Sequence, residues 1–389
     1  MVPSRADSGQ VIPVIKPYFG EEEAEAAAAV VRSGWVAQGP RVAEFERAFA
    51  SYLGVGDGVA VSSCTTGLHL MLAVLGIGPG DEVVVPSLSF IATANAVRYC
   101  AATPIFADVD PATGNLAWET VEPVLTERTR AVLVVHQAGV PADVAPIRQG
   151  AERRGIAVVE DAACAAGSTY RGRPLGVEAP AAAWSFHPRK VLTTGEGGMV
   201  TTDQPDWAAR MRRLREHGMD VSAADRHRAV QPVIERYLEV GFNYRMTDIQ
   251  AAIGLVQLAK LDTMVQRRRV LAARYQRLLA DVPGIRTVAD PPYGTTNYQS
   301  FWVELEDYFP AGRDQLLGLL HANGVSGRRG IMATHLEPAY SEQARMPLPV
   351  TERITAQTLI LPLYHTLTEV EQDRVVAVLT DAAKGKGAA

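Results

Sequence analysis

The sequence predicts an α/β protein in two parts. Residues 1–250 form a large domain with a mostly parallel mixed sheet between helices, and residues 251–389 form a smaller α+β domain. Three observations carry this reading. Strand-like apolar runs alternate with helix-like runs from about Gly58 to residue 205, as in a mostly parallel sheet covered on both faces. Polar residues capable of chemistry stand just after several of those runs, where open α/β sheets collect ligands. Beyond residue 205 the alternation gives way to a basic helix, an irregular stretch and then helices mixed with isolated strands.

Taken in order, GEEEAEAAAAVVRS (20–33) is acidic and then alanine-rich, and reads as a helix. SGWVAQGP (33–40) is a loop, in which Trp35 is either a packed aromatic or part of a substrate mouth. Arg41 to Leu53 has helical periodicity. GVAVSS, DEVVVPS, ATPIFADVD, RAVLVVHQ, IAVVED, AAAWSF and GGMVTTD are strands, with TTGLHLMLAVLGI and ATANAVRYC as helices between the first of them. Asp206 to His217 is a basic helix, and 219–236 is polar and irregular. A long helix begins near Thr247 or Asp248, both good N-caps. A second helix is expected at 265–281, followed by the strand SFWVELE, the helix DQLLGLLHANG, the irregular GVSGRRGIMATHLEPAY, the strand TLILPLY and a closing helix VEQDRVVAVLTDAA. The tail KGKGAA is expected to fray.

The stretch WSFHPRKVLTTGEGGMV (184–200) organises the chemistry. A buried strand ends, Pro188 halts regular structure, and Gly195, Gly197 and Gly198 let the backbone turn. Most lysines are solvated surface charges. Lys190, held at the end of a buried strand, is partly desolvated. That disfavours its ammonium form, lowers the pKa and exposes a nucleophilic amine fit for a Schiff base.

Three other strand ends carry groups of interest. Ser62-Ser63-Cys64-Thr65-Thr66-Gly67 joins a strand to a helix, and reads as a phosphate cradle or a plain N-cap. Phe90, in PSLSFIAT, reads as a ring stacker or as core. Glu160-Asp161 ends the apolar run IAVVED, where a carboxylate needs a cationic or N–H partner; capping of the next helix is the structural alternative. An anion cradle, an aromatic platform, a buried carboxylate and a lysine about 30 residues later are together what pyridoxal 5′-phosphate requires.

Composition excludes other classes. The chain is 47% hydrophobic and 21% charged with a net charge of −5, which argues against nucleic-acid binding through bulk electrostatics. Cys64, Cys100 and Cys164 lack metal-ligand spacing, so neither a zinc site nor a disulfide framework is expected, and the cytoplasm fits. The N-terminal stretch lacks a signal-peptide core, and no apolar run approaches the roughly 20 residues that span a bilayer.

These motifs resemble the DegT/StrS-type sugar aminotransferases, members of the aspartate-aminotransferase fold type I. The likeness runs from about Pro17 to the final helix and rests on GPGDEVVVPSLSFIATANAV, FADVDPATGNL, VVEDAACAAGSTYRGRPLG, SFHPRKVLTTGEGGMVTTD, GFNYRMTDIQAAIGLVQLAKLD and LPLYHTLTEVEQ. The resemblance implies that Lys190 holds pyridoxal phosphate as a Schiff base, that Asp161 faces the pyridine nitrogen and that Phe90 stacks on the ring. It implies phosphate contacts from Ser185 and the Thr65-Thr66 turn. Asn243 would reach the phosphate from a neighbouring subunit, so a homodimer with shared sites is implied. Two positions depart from the common pattern: Cys164 stands where His or Gln is usual, near the cofactor's 3′-hydroxyl, and Cys64 where glycine is frequent. A thiol is a weak hydrogen-bond partner, so the contact at 164 is in question.

The implied reaction moves an amino group from L-glutamate to a keto-deoxysugar carried on a nucleotide, through pyridoxamine phosphate, with Lys190 as general base. A pyrophosphate calls for cations: Arg328, Arg329 and Arg245 are candidates, with surface solvation as the alternative, and His335 and Tyr340 are further candidates to face substrate. Keto-cyclitol amination keeps the same chemistry. A sugar dehydratase of this fold carries histidine in place of the anchoring lysine, and Lys190 stands at that position, His187 lying three residues away. A non-catalytic regulator is the remaining alternative.

Overall fold

The computed structural model describes residues 11–222, 226, 230–341, 343 and 345–385. Parts of two expected segments, 223–225 and 227–229 of the irregular stretch and 386–389 of the tail, lie outside them.

Helices α1 (Glu21–Ser33) and α2 (Pro40–Leu53) precede the main sheet. That sheet draws on β1 (Asp57–Val61), α3 (Cys64–Val74), β2 (Glu82–Pro86), α4 (Ala92–Tyr99), β3 (Thr103–Ala107), α5 (Trp118–Val121), β4 (Thr129–Val135), α6 (Val144–Glu152) and β5 (Ala157–Asp161). The short strands β6 (Thr169–Tyr170) and β7 (Arg173–Pro174) follow, then β8 (Ala182–Ser185), β9 (Gly198–Thr202) and helix α7 (Pro205–Leu214). The strand order is β1-β9-β8-β5-β4-β2-β3. Strands β8, β5, β4, β2 and β3 are parallel, while β9 runs antiparallel to both neighbours. Strand β1 therefore points the same way as β8. The carboxyl ends of β1, β2, β4, β5 and β8 all reach one edge of the sheet, the edge where ligands gather in such folds.

The sheet is apolar on both faces because both are covered. Val84, Val132, Val134 and Val158 enter one core, and their strand neighbours Val83, Val85, Leu133 and Val159 enter the other. Alternation of side chains along a strand divides them in this way. Continuous apolar runs such as VVV and AVLVV are what a doubly covered parallel strand requires.

Beyond α7 the chain forms α8 (Asp248–Leu279), β10 (Ile285–Thr287), β11 (Gly294–Thr295), β12 (Phe301–Leu305), α9 (Arg313–Ala322), β13 (Arg328–Arg329), α10 (Pro349–Gln357), β14 (Thr358–Leu361) and α11 (Glu369–Ala383). A second sheet, β10-β12-β14-β13, is antiparallel throughout and has its own core around Phe301, Val303, Leu316, Leu359 and Val375. Strand β11 instead joins β6 and β7 in a small third sheet. Ile12 enters the second core and its N–H donates to Gly324 O at 2.9 Å.

Helix α8 corrects the sequence reading. One uninterrupted helix of 32 residues replaces the expected pair, and the expected boundary at 250/251 falls within its first turn. No proline interrupts QAAIGLVQLAKLDTMVQRRRVLAARYQRLL, and its single glycine, Gly254, is packed against the Phe45 ring. The helix is about 48 Å long at 1.5 Å per residue, so it serves both cores. Leu261 and Met264 pack in the first, Leu271 and Tyr275 in the second.

Its first residue does a second job. The buried Asp248 carboxylate accepts the N–H groups of Gly39 at 2.8 Å, Val42 at 2.9 Å and Arg41 at 3.1 Å, capping α2 from 200 residues away. The near-sequence signal for that cap is absent, since Gly39 has no side chain to supply it. Asp248→Ala leaves three N–H groups without this acceptor and is expected to cost about 3 kcal/mol. Urea unfolding monitored by circular dichroism checks this; a loss below about 0.5 kcal/mol would show that α2 does not depend on the distant cap. Among the described residues, no helix is long and apolar enough to cross a membrane.

Candidate active site

Strand β8 ends at Ser185, and the chain then loops for twelve residues before returning as β9. The loop is pinned from within. Phe186, fully buried, accepts Thr194 N–H at 2.9 Å and Thr193 O–H at 2.8 Å, and its own N–H donates to Gly197 O at 2.9 Å. Gly197 has φ +158°, and a Cβ there would lie 2.4 Å from Thr194 Oγ1 and 2.7 Å from Met246 Cε. The loop is also pinned from outside. Gln299, just before β12, accepts Val191 N–H at 3.0 Å and donates to Arg189 O. These bonds bracket Lys190, which is half-buried at the carboxyl edge of the sheet.

Lys190 Nζ donates to Cys164 Sγ at 3.1 Å. Cys164 lies three residues past Asp161, whose buried carboxylate ends β5. Asp161 Oδ2 accepts Thr93 O–H at 2.9 Å and Oδ1 accepts Ala163 N–H at 3.1 Å, with Cys64 Sγ at 4.0 Å. The Ala163 bond closes a local turn rather than capping the next helix, the structural alternative, since β5 is followed by β6 with no helix between. Burial nevertheless holds the carboxyl above its ordinary range, against the pull of Ala163, Thr93 and Lys190. Burial likewise drives the Cys64 thiol well up.

For Lys190 the expected depression is overturned. Burial does act downward on the ammonium, but contact with Cys164 and the field of Asp161 outweigh it, and the pKa is raised. Desolvation alone, which is what the sequence displays, gives the wrong sign because the neighbouring groups come from other strands.

The turn after β1 forms the N-cap offered as one of its two readings. Ser63 caps α3: its Oγ accepts Thr66 N–H at 3.2 Å, and Thr66 Oγ1 accepts Ser63 N–H at 3.1 Å. Thr66 O–H also donates to Ser63 O at 2.8 Å, so this hydroxyl is engaged by the cap. The first N–H groups of the helix have no intrahelical acceptor and face outward as an anion cradle. Ser185 is in register with Gly198, and a Cβ on Gly198 would lie 2.5 Å from Ser63 C and 2.6 Å from Cys64 N. The close approach of β9 to the turn therefore places Ser185 and the Thr65-Thr66 turn together.

A cleft of about 190 Å³ opens at this edge, lined among others by Phe90, Gln137, Cys164, Arg189, Lys190 and Arg328. Phe90 is 62% exposed, a face rather than core. Arg329 also lines the cleft and pairs with Glu337 at 3.2 Å. Glu160 points away from it: buried, it is held by His136 Nε2 at 3.1 Å and by Arg148, and its carboxyl lies below the ordinary range because those partners outweigh burial.

Four expected substrate residues are not brought to the cleft of the protomer. His335 is buried, its Nδ1 2.6 Å from Ser87 Oγ, where it ties the GRRGIMATH segment to the end of β2. Tyr340 is buried against the Phe106 ring at 5.7 Å and donates to Asn95 Oδ1 at 2.7 Å. Both are packing residues, which corrects the expectation that they face substrate. Trp35 lines a different cavity of about 810 Å³ with Arg212 and Glu216, its Nε1–H donating to Gln38 O at 3.2 Å. Arg245 donates through Nε to Asn243 Oδ1 at 3.0 Å, and Asn243 is exposed. Sequence reasoning missed Arg189, Gln137, Gln299 and Thr93. Only Arg189, adjacent to Lys190, and Thr93, three residues past Phe90, had a local signal.

The residues present fit a phosphate-bearing pyridine cofactor: an anion cradle at a helix start, an exposed ring, a buried carboxylate and an amine share one edge. Among the described residues no cluster of His, Cys, Asp and Glu is placed to hold a metal ion.

Known proteins match this arrangement over nearly the full chain. The chain is 42% identical over 372 residues to the GDP-perosamine synthase of Caulobacter vibrioides, covering 95% of this chain and 97% of that protein. The crystal structure of the aminotransferase TlmJ from Streptoalloteichus hindustanus is 38% identical with a TM-score of 0.88, covering 96% of this chain and 99% of that one. A Streptococcus pneumoniae protein was solved in a PMP-form and a PLP-form. These are 27% and 26% identical, with TM-scores of 0.91 and 0.89, covering 96% of this chain and 99% of each. With the family model matching residues 17–380, the chain belongs to the DegT/DnrJ/EryC1/StrS aminotransferase family.

Proposed function

We propose that this enzyme transfers the amino group of L-glutamate to a keto-deoxysugar carried on a nucleoside diphosphate, using pyridoxal phosphate. The observation that carries the reading is that Lys190 stands at the cleft of a chain matching a GDP-perosamine synthase end to end. A histidine at that position would have pointed to a dehydratase.

When bound, pyridoxal phosphate supplies an electron sink for the carbon that loses its proton. The protein's residues do the rest. Lys190 would anchor the aldehyde carbon and, once displaced, carry a proton from the α-carbon of the donor to the carbon on the other side of the amino nitrogen, two bonds away. Asp161, buried at the end of β5, would hold a proton on the pyridine nitrogen. Phe90 would cover one face of the ring. Thr65, Ser185 and the start of α3 would take the phosphate, leaving Thr66 as the cap that orients the turn.

A homodimer with shared sites fits the surface. Val230, Ile234 and Val240 are 101%, 87% and 90% exposed, apolar residues that a second copy would cover, in the stretch that leads to the exposed Asn243. Three free cysteines fit a cytoplasmic enzyme.

The test is spectroscopic. L-Glutamate should bleach the visible band of the cofactor-bound protein, and a keto-deoxysugar nucleotide should restore it, whereas the same sugar without its nucleotide should not. Restoration by the free sugar or by a keto-cyclitol would overturn the nucleotide assignment. A band indifferent to L-glutamate would overturn the donor.

A further inference from the structure

We infer that Arg189 and Arg328 form a single anion subsite that serves both substrates in turn: the distal carboxylate of the dicarboxylate donor, then the pyrophosphate of the acceptor. The inference rests on the reading of the reaction above and extends it to the residues that recognise both reactants.

The two guanidinium groups come from different layers. Arg189 precedes Lys190 in the β8–β9 loop, and Arg328 lies on β13 of the second sheet, yet both line the cleft with Lys190. Neither guanidinium has an ion pair or hydrogen bond among the described residues. The exposed Arg47, Arg153, Arg277 and Arg374 likewise lack such a partner, but they do not line the cleft, and most other arginines are engaged. Arg148 pairs with Glu160 and Glu178, Arg210 with Glu239, and Arg345 with Glu82, while Arg268 donates to Tyr298 O and Gln299 O. Arg329, their neighbour in the cleft, is already engaged by Glu337.

Leaving Arg328 without an anion has a cost. Burial, and then repulsion from Arg189 and Arg329, holds Arg328 below its ordinary range. His187 reports the same field: burial lowers its pKa, Glu196 opposes, and Arg189, Lys190 and Arg328 lower it further. Mutually repelling groups gathered in a cleft mark a place where an anion restores the balance. Guanidinium groups suit carboxylate and phosphate oxygens alike, by the same bidentate geometry.

Both substrates would bring their reacting carbon to Lys190 through this one cleft of about 190 Å³. The donor leaves before the acceptor enters, so cations at the rim meet the anion of each in succession. The backbone of Arg189 is held through its carbonyl by Gln299, which keeps this guanidinium at the rim whichever substrate is present.

The experiment uses the cofactor-bound enzyme and two probes, glutarate for the donor and inorganic pyrophosphate for the acceptor, measured by isothermal titration calorimetry. Each probe should bind alone, and saturating pyrophosphate should abolish the heat of glutarate binding. Arg189→Gln and Arg328→Gln should each weaken both probes about 10-fold or more, the loss of a charge-assisted pair, while Arg328→Lys should recover part of it. An unchanged cofactor spectrum certifies that a variant is folded and loaded. Simultaneous binding of the two probes, failure of either to bind the parent enzyme, or variants that weaken only one probe would each overturn the shared subsite. An error in the reaction itself shows separately, as a wild-type visible band that L-glutamate leaves unchanged.

Discussion

Lys190→Ala should lower the rate of the glutamate half-reaction by about 10⁴-fold or more while leaving the fold intact. A positioned general base contributes roughly 10²–10⁴-fold, and here the same amine would also anchor the cofactor, so its removal costs on both counts. The structure offers no substitute at that point. Cys164, 3.1 Å from Nζ, is a thiol, which cannot form a Schiff base, and His187 lies back along the loop with its Nδ1 accepting Arg189 N–H at 3.2 Å. The fold should persist because the loop is held by the backbone bonds of Phe186 and by Gln299, not by the lysine side chain. Single-turnover spectroscopy with L-glutamate, beside thermal unfolding of the variant, measures both halves. A small primary amine added to the variant should restore part of the rate, since it can take up the proton. A variant that retains more than about one hundredth of the parent rate, a loss smaller than general-base removal gives, would show that another group carries the proton.

Asp161→Asn should separate activity from stability. An amide has the shape of the carboxylate but not its charge, so it cannot hold a proton on the pyridine nitrogen. Loss of such preorganised electrostatic stabilisation costs about 10³-fold in kcat. Stability should move the other way in the cofactor-free protein. Burial holds the Asp161 carboxyl above its ordinary range, so ionising it is harder in the folded chain than in the unfolded one. A raised carboxyl contributes stability that is complete below its unfolded pKa and is lost as pH rises through the folded value. At neutral pH the parent has lost that contribution. Asparagine has no such loss, and its amide can keep partners in Thr93 and Ala163. The cofactor-free variant should therefore match or exceed the parent in stability at neutral pH, with the gain disappearing as pH falls into the ordinary carboxylate range. Urea titrations at several pH values decide it. A variant that is less stable at pH 7 would mean that the field of Lys190 and the bonds from Thr93 and Ala163 outweigh the desolvation of Asp161.

Both predictions begin from residues that stand out in the chain. The alternation of apolar runs with helical ones leads directly to the sheet of β1–β5, β8 and β9, because a strand covered on both faces must be apolar throughout. Lys190, Asp161, Phe90 and the Thr65-Thr66 turn were legible for a related reason. Each follows a buried run, and a parallel sheet brings the ends of such runs to one edge. His335 and Tyr340 were misjudged because polar residues in an irregular stretch look alike whether they face a ligand or a neighbour. Ser87 and Asn95, which engage them, lie about 245 residues earlier.

By itself, then, the amino-acid sequence determined the sheet, the strand-end residues and the family pattern, since these depend on local periodicity and on motifs read within a few tens of residues. The tertiary structure alone decided three things: the antiparallel course of β9, the raised pKa of Lys190, and the meeting of Arg189 with Arg328 at its side. Each of these is set by groups distant in the chain and close in space. Electrostatic fields and packing act across that space, and no local pattern of residues records them.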